Sequence, residues 1–361
     1  FYFGFLYQFY LIPSLKKKMQ YKIITDVKEF KLLEEEWNLL FDSRFYSVFQ
    51  SFLFNYYSWK DVLCHFSKNK LFIIKITEDN ITIGLFPLYI DQKNKLRFIN
   101  DINADFCDII LSKKIDFDNL FQFILNDCKQ KRIQLINLKE DSMLSHFGSN
   151  HFQSNINFSA FESYSELQVD KGIFPYNCNK LNKKRRNEIK RILSKNSIYK
   201  HEILVKDHSI FPINEILTLK EKMIKNGSRD KNFLPTNQLK LIERLYDSNQ
   251  IEISLVKDGE VIAILFIVRN NNNFLLWIDL YDDIQVISFY NYISFIAVTS
   301  LNKDICINFG RGAYRWKVSK FRPDIQELYR LNFYSNGLYC TIHIITSYIL
   351  AAVKLMYRKF K

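Results

Sequence analysis

Two stretches of this chain, 180 residues apart, carry the same pattern. Residues 71–90, LFIIKITEDNITIGLFPLYI, read as a strand, a polar turn and a second strand. Residues 251–270, IEISLVKDGEVIAILFIVRN, read likewise. There Asp258-Gly259 is a strong hairpin signal, because glycine takes the positive φ that tight hairpins need. A further strand follows each hairpin, over 95–111 and over 273–283. A helix comes next in both halves. In the first, Phe117, Leu120, Phe121, Ile124 and Cys128 recur at helical spacing behind Asp116 and Asp118, which suit a helix N-terminus. In the second, QVISFYNYISFIAVTSLNK is apolar almost all round and belongs in an interior. Short strands over 132–140 and 304–312 close the two units. The order strand–strand–strand–helix–strand, occurring twice, points to an α/β (α+β) chain of tandem units with mixed sheets. The alternative is chance likeness between two common hairpins.

Helices precede both units. Asp26 and Glu29 form a capping box ahead of Phe30, Leu33, Trp37 and Leu40, and residues 51–66 read as a second helix. In the second half, 183–195, 213–226 and 236–249 read as helices. The organisation expected is a segment 1–18, an N-terminal unit over 19–165, a C-terminal unit over 166–337 and an apolar then basic helix over 338–361. Hydrophobic residues make up 48% of the chain, which excludes global disorder.

The segment FYFGFLYQFYLIPSLKKK does not fit a signal peptide, since its charge follows the apolar run. It is also shorter than the ~20 residues a bilayer-spanning helix needs. It reads as sequence upstream of a start at Met19, or alternatively as a short membrane-contacting leader. None of the six cysteines forms a C-x-x-C pair or stands at zinc-site spacing, so reduced thiols in a cytoplasmic protein and no metal are expected. G-x-S-x-G, Walker A, G-x-G-x-x-G and H-E-x-x-H motifs are all absent.

Taken in order, GLFPLYI (84–90), ADFCDII (104–110), KLNKKRRNEIKRILSK (180–195), DGEVIAILFIV (258–268), WIDLYDD (277–283) and INFGRGAYRWK (307–317) resemble the core of the GNAT acyltransferase fold, present twice. The chain resembles the double-GNAT FemABX peptidyltransferases, and more closely the CelD/BcsL-like acetyltransferases associated with exopolysaccharide synthesis. That resemblance spans roughly Gln20 to Arg330. It implies acyl-CoA, acetyl-CoA above all, as co-substrate. One departure stands out: YDDIQVISFYNY has no glycine where GNAT enzymes cradle the coenzyme A pyrophosphate on a Gly-rich turn.

Candidate chemistry gathers in DICINFGRGAYRWKVSKF (304–321), which spends two of the chain's nine glycines around an arginine. Gly310 and Gly312 permit positive φ or a close approach. Arg311, Arg315 and Lys317 are candidates for binding a phosphate or acidic substrate, and the alternative is a solvated basic rim. Asp279 is a candidate catalytic carboxylate on the strand where, by the resemblance, GNAT enzymes often keep one, with Tyr281 or Tyr314 a candidate proton donor to a leaving thiolate. A turn-bonded strand end is the plainer account of Asp279. Asp105 and Asp108 resemble the D-[YF]-x-D element of the family, which implies a substrate-facing role.

Residues 183–195 hold seven Lys/Arg in thirteen positions, and the chain's formal charge is +13. Both features point to an anionic partner: a nucleotide-linked sugar, tRNA or an anionic membrane surface. A solvated basic face is the alternative. The function expected is acyl transfer to an amine or hydroxyl of a sugar nucleotide or glycan intermediate, in the cytoplasm or peripherally at the inner membrane. The alternatives are FemABX-like transfer from aminoacyl-tRNA, or a degenerate, membrane-associated binding protein.

Overall fold

A computed structural model of the chain describes residues 19–42, 47–128, 132–150, 154–282, 285–338, 340–342, 345, 346 and 349. The first half begins with edge strand β1 (Met19–Ile24), then α1 (Val27–Leu32), α2 (Glu34–Leu40) and α3 (Phe52–Tyr57). Asp26 caps α1 by accepting from the Lys28 and Glu29 amides. Ser51 does the same for α3 through Phe54 N. The helix expected over 51–66 does not run through. α3 loosens into a π turn over Ser58–Val62 and a 3₁₀ turn over Leu63–His65.

The first hairpin, β2 (Lys70–Glu78) and β3 (Ile81–Ile90), turns on Asp79 and Asn80, both at positive φ. β4 (Leu96–Phe98), β5 (Ile110–Leu111), α4 (Phe117–Gln122), β6 (Arg132–Lys139), α5 (Met143–Asn150) and β7 (Ile156–Val169) follow. The second half supplies α6 (Lys183–Leu193), β8 (Lys200–Leu204), α7 (Ile213–Lys225), α8 (Thr236–Asp247), β9 (Ile251–Asp258), β10 (Glu260–Asn270) and β11 (Asn273–Tyr281). It ends with α9 (Gln285–Thr299), β12 (Ile305–Arg311), α10 (Arg315–Phe321) and β13 (Asp324–Tyr334). Gly259 closes the second hairpin at φ +70°.

Among the described residues the strands form one continuous sheet in the order β1-β2-β3-β4-β6-β13-β7-β12-β11-β10-β9-β8, with β5 beside β3. The two halves therefore mirror each other across the β13–β7 seam. Each half's closing strand is exchanged. β7, which follows the first unit in sequence, pairs with β12 of the second. β13, at the end of the second, pairs with β6 of the first. Ser165 and Glu166 both lie inside β7, so chain order and spatial unit part company there.

Apolar clusters fill both sides of this sheet. One runs across both halves from Phe72, Ile74 and Phe86 to Ile216, Leu241 and Phe266. A second packs α6 and α9 onto the second half through Ile189, Ile293 and Ile307. A third packs α1 to α3 onto the first through Phe30, Trp37 and Phe52.

The strand expected over 95–111 breaks at Phe98. Beyond it, Asn103 N and Ala104 N both bond to Asn100 O. Asn137 Nδ2 holds Ala104 O at 3.0 Å, and Cys107 N donates to Asn137 O. Asn and Asp satisfy nearby backbone groups and so compete with a ladder. The segment consequently winds between β4 and β6, which pair only at Leu96 and Ile133. The helix expected over 117–128 likewise splits into α4 and a π turn over Phe123–Asp127.

Among the described residues no helix is long and apolar enough to cross a membrane. Of the helix expected over 338–361, residues 338, 340–342, 345, 346 and 349 are helical. The rest of it, like segment 1–18, lies outside the described residues.

Candidate functional site

β11 and β12 run parallel but pair only where Asn273–Leu275 meets Cys306–Asn308. Past that point they diverge, and the gap opens into a cavity of about 950 Å³. In the first half the matching gap between β4 and β6 is filled by the chain's own residues 99–109. Sequence-related units thus end with one cleft plugged and one open.

The segment 304–321 forms one wall. Gly310 and Gly312 have φ of +70° and +85°. A Cβ on Gly310 would stand 2.5 Å from Asp105 Oδ2, and one on Gly312 would stand 2.6 Å from the Tyr314 ring. The glycines therefore admit a carboxylate from the first half and the ring of Tyr314. Asp105 is buried. It accepts from Arg311 Nε at 3.0 Å and Arg311 N at 3.3 Å. Burial pushes its pKa up, and the Arg311 guanidinium works against that rise. Arg311 also donates to Asn137 Oδ1 at 3.3 Å. Its fork is thus directed at a carboxylate of the protein itself.

Lys317 faces the same cavity from α10 and is 5% exposed. Its Nζ donates to Phe309 O and to Arg311 O, the latter at 3.0 Å. The Tyr314 and Trp316 rings lie 5.0 and 5.8 Å from it. Burial lowers its pKa to about 8, opposed by Asp105, Asp279 and Glu162. A neutral primary amine has two N–H groups and one lone pair. Once the amine has lost its proton, above about pH 8, the two carbonyls match its N–H groups and its lone pair is open to a ligand.

Asp279 lines the opposite wall on β11. It accepts from Arg229 Nη2 at 2.8 Å and from Ser288 Oγ at 3.0 Å. Each oxygen accepts one hydrogen bond, and the ion pair orients Arg229 at the cavity wall. Arg229 lies 4.9 Å from the Phe233 ring, and its Nε is buried without a partner among the described residues. Arg191 and Lys195 from the α6 end and Trp316 and Lys320 of α10 also line the cavity, and Lys320 pairs with Glu188 of α6.

The structure thus brings together Asp105, Asp279, Arg311, Tyr314 and Lys317. It does not bring in the other two candidates. Arg315 is exposed at the start of α10, outside the cavity lining, because α10 turns its opposite face inward. Asp108 is half-buried and accepts from the Ile109, Met143 and Leu144 amides, so it caps α5 and stays outside the cavity lining. Burial pushes its pKa to about 7. Arg229 had no local signal in sequence; its loop, NGSRDKNF (226–233), reads as an ordinary polar turn. Among the described residues no group of three or more His, Cys, Asp or Glu could hold a metal ion. Residues 283 and 284, in the turn expected to meet a pyrophosphate, lie outside the described residues.

No family model matches the chain, and no curated protein matches it. Solved structures do. One is the C-terminal domain of a protein named as a lysylphosphatidylglycerol synthetase from Agrobacterium fabrum, at TM-score 0.57 and 11% identity, covering 90% of this chain and 97% of that one. Another is L-PGS from Bacillus licheniformis, at TM-score 0.54 and 12% identity, with 90% and 96% covered. A third is FemX, at TM-score 0.54 and 10% identity, with 90% and 99% covered. These likenesses establish the fold as tandem GNAT-like: the repeated pattern led us to expect tandem mixed α/β units, and the family resemblance implied the GNAT fold.

Proposed function

We propose that the chain is an acyltransferase that moves an acyl group onto an amine or hydroxyl in the cavity between β11 and β12. The observation that carries this reading is Lys317. It is held in the wall by two backbone carbonyls, with a pKa near the working range and a free third position. In the proposed reaction the acceptor attacks the acyl carbonyl, and neutral Lys317 takes the proton that the acceptor loses. Collapse expels the carrier as its anion, and Lys317 gives the proton to it, returning to the neutral form. Arg229, held by Asp279, is placed to bind the acceptor or the acyl oxygen. Tyr314 is an aromatic wall at the mouth.

Acyl-CoA is the first donor to test, because the tandem GNAT-like fold is one that handles it. The cations Arg191, Lys195 and Lys320 in the cavity lining suit the phosphates of such a donor, or of an anionic acceptor. The sugar nucleotide or glycan expected from the sequence belongs to that acceptor class and enters the test as one of its members. Aminoacyl-tRNA is the second donor, favoured by the continuity of those cations with basic α6.

The experiment incubates the protein with acyl-CoA and aminoacyl-tRNA donors against a panel of amine and hydroxyl acceptors, following loss of the donor ester or thioester. Turnover that vanishes in Lys317→Met and rises with pH through about 8 is expected. No turnover with any donor, or full activity in Lys317→Met, refutes the reading.

A further inference from the structure

The second unit carries a cationic face that the cavity chemistry leaves unused. α6 buries Ile189 and Ile192 and turns Lys183, Lys184, Lys190 and Arg191 to solvent. Its one acid, Glu188, is already held by Arg185 and Lys320. Among the described residues no carboxylate pairs with Lys183, Lys184 or Lys190. Large apolar side chains stand exposed beside them: Ile173 at 69%, Tyr176 at 52%, Val298 at 51% and Leu301 at 47%.

The segments that carry these side chains are tied to one another. Gly172 N donates to Ser300 O at 3.1 Å. Lys171 N donates to the Asp304 carboxylate at 2.6 Å. Lys190 Nζ lies 5.3 Å from the Tyr176 ring centroid. Single exposed apolar residues are ordinary, whereas a cluster rimmed by cations marks an interaction surface. A nucleic acid would use the cations and the one ring, but it gains little from Ile173, Val298 and Leu301. A bilayer uses both sets. Aliphatic side chains enter the headgroup region, and lysines meet the lipid phosphates. Arg191, next to Lys190 on α6, lines the cavity, so the same helix serves both.

We propose that loop 171–176, α6 and the C-terminal end of α9 dock this protein reversibly on an anionic bilayer surface. Ile173 and Leu301 insert, and Lys183, Lys184 and Lys190 neutralise lipid phosphates. This docking does not depend on the acyl-transfer reading, since it needs neither donor nor turnover.

The test is co-sedimentation of the full chain with phosphatidylcholine vesicles, with and without phosphatidylglycerol, at low and high salt. Binding to the anionic vesicles alone, released by salt, is expected. Neutralising Lys183, Lys184 and Lys190 together to Gln should lower the partition on the order of 100-fold. Ile173→Ser with Leu301→Ser should lower it roughly tenfold or more. All five positions are exposed, and circular dichroism confirms that each variant is folded. The proposal is overturned if anionic vesicles do not bind the protein, or if either variant binds like the parent. It is also overturned if the lysines govern retention on tRNA while vesicles are ignored.

Discussion

Asp105 belongs to the first unit and Lys317 to the second, and Arg311 joins them: its side chain and amide go to Asp105 and its carbonyl accepts from Lys317. Asp105→Asn removes the charge while keeping one oxygen for Arg311 Nε. Breaking a fully buried ion pair costs about 3–5 kcal/mol. Here the Arg311 side chain is 33% exposed, and Asn137 still accepts from it. Solvent screening then reduces the loss to about 2 kcal/mol, measurable as a shift in urea midpoint. The activity effect is sharper. Asp105 is the largest of the acidic influences that hold up the Lys317 pKa against burial. Without it the Lys317 pKa falls further below about 8, and the rising limb of the pH–rate profile moves to lower pH. A merely structural Asp105 would lower the plateau without moving the limb. A limb that stays in place, or moves upward, refutes the proton-acceptor role argued for Lys317.

Three further outcomes follow from the same structure. Gly310→Ala places a Cβ at φ +70° and 2.5 Å from Asp105 Oδ2, so denaturant melts should show a loss of about 1–3 kcal/mol from the backbone alone, with activity falling as the Asp105–Arg311 pair is pushed apart. His201 bonds to Ser254 Oγ at 2.7 Å, and burial lowers its pKa from 6.5 to about 4. The unfolded chain takes up that proton first, so stability falls as pH drops through this window, by ~3 kcal/mol at its foot, and His201→Gln should flatten the slope in urea melts. Asp108 has the opposite sign: its folded pKa is raised from 3.8 to about 7, so its contribution is present at low pH and is lost as pH rises through 7. Asp108→Asn should gain on the parent across that window, read from melting temperatures at each pH.

Helix and strand placement was largely legible because it rests on local chemistry. Asp258-Gly259 specified its hairpin, Asp26 its cap, and the apolar faces of 213–225 and 236–247 their helices. Local reading failed where a polar residue spends its hydrogen bonds at long range. Residues 99–109 carry strand-like apolar content, yet Asn100 and Asn137 fold them into the first unit's cleft. Asp108 looked substrate-facing beside Asp105, but its partners are amides of α5, more than thirty residues on.

The sequence alone determined that this chain is a duplicated α/β protein with a glycine-flanked, cationic bend after its last paired repeat, since periodicity and turn chemistry act over a few residues. Tertiary structure alone decided that β7 and β13 change places across the seam and that one cleft is plugged while its twin stays open. It also decided that Arg311 serves Asp105 while burial lowers the Lys317 pKa to about 8. Those outcomes depend on burial and on partners some 30 to 200 residues away, and no local pattern encodes either.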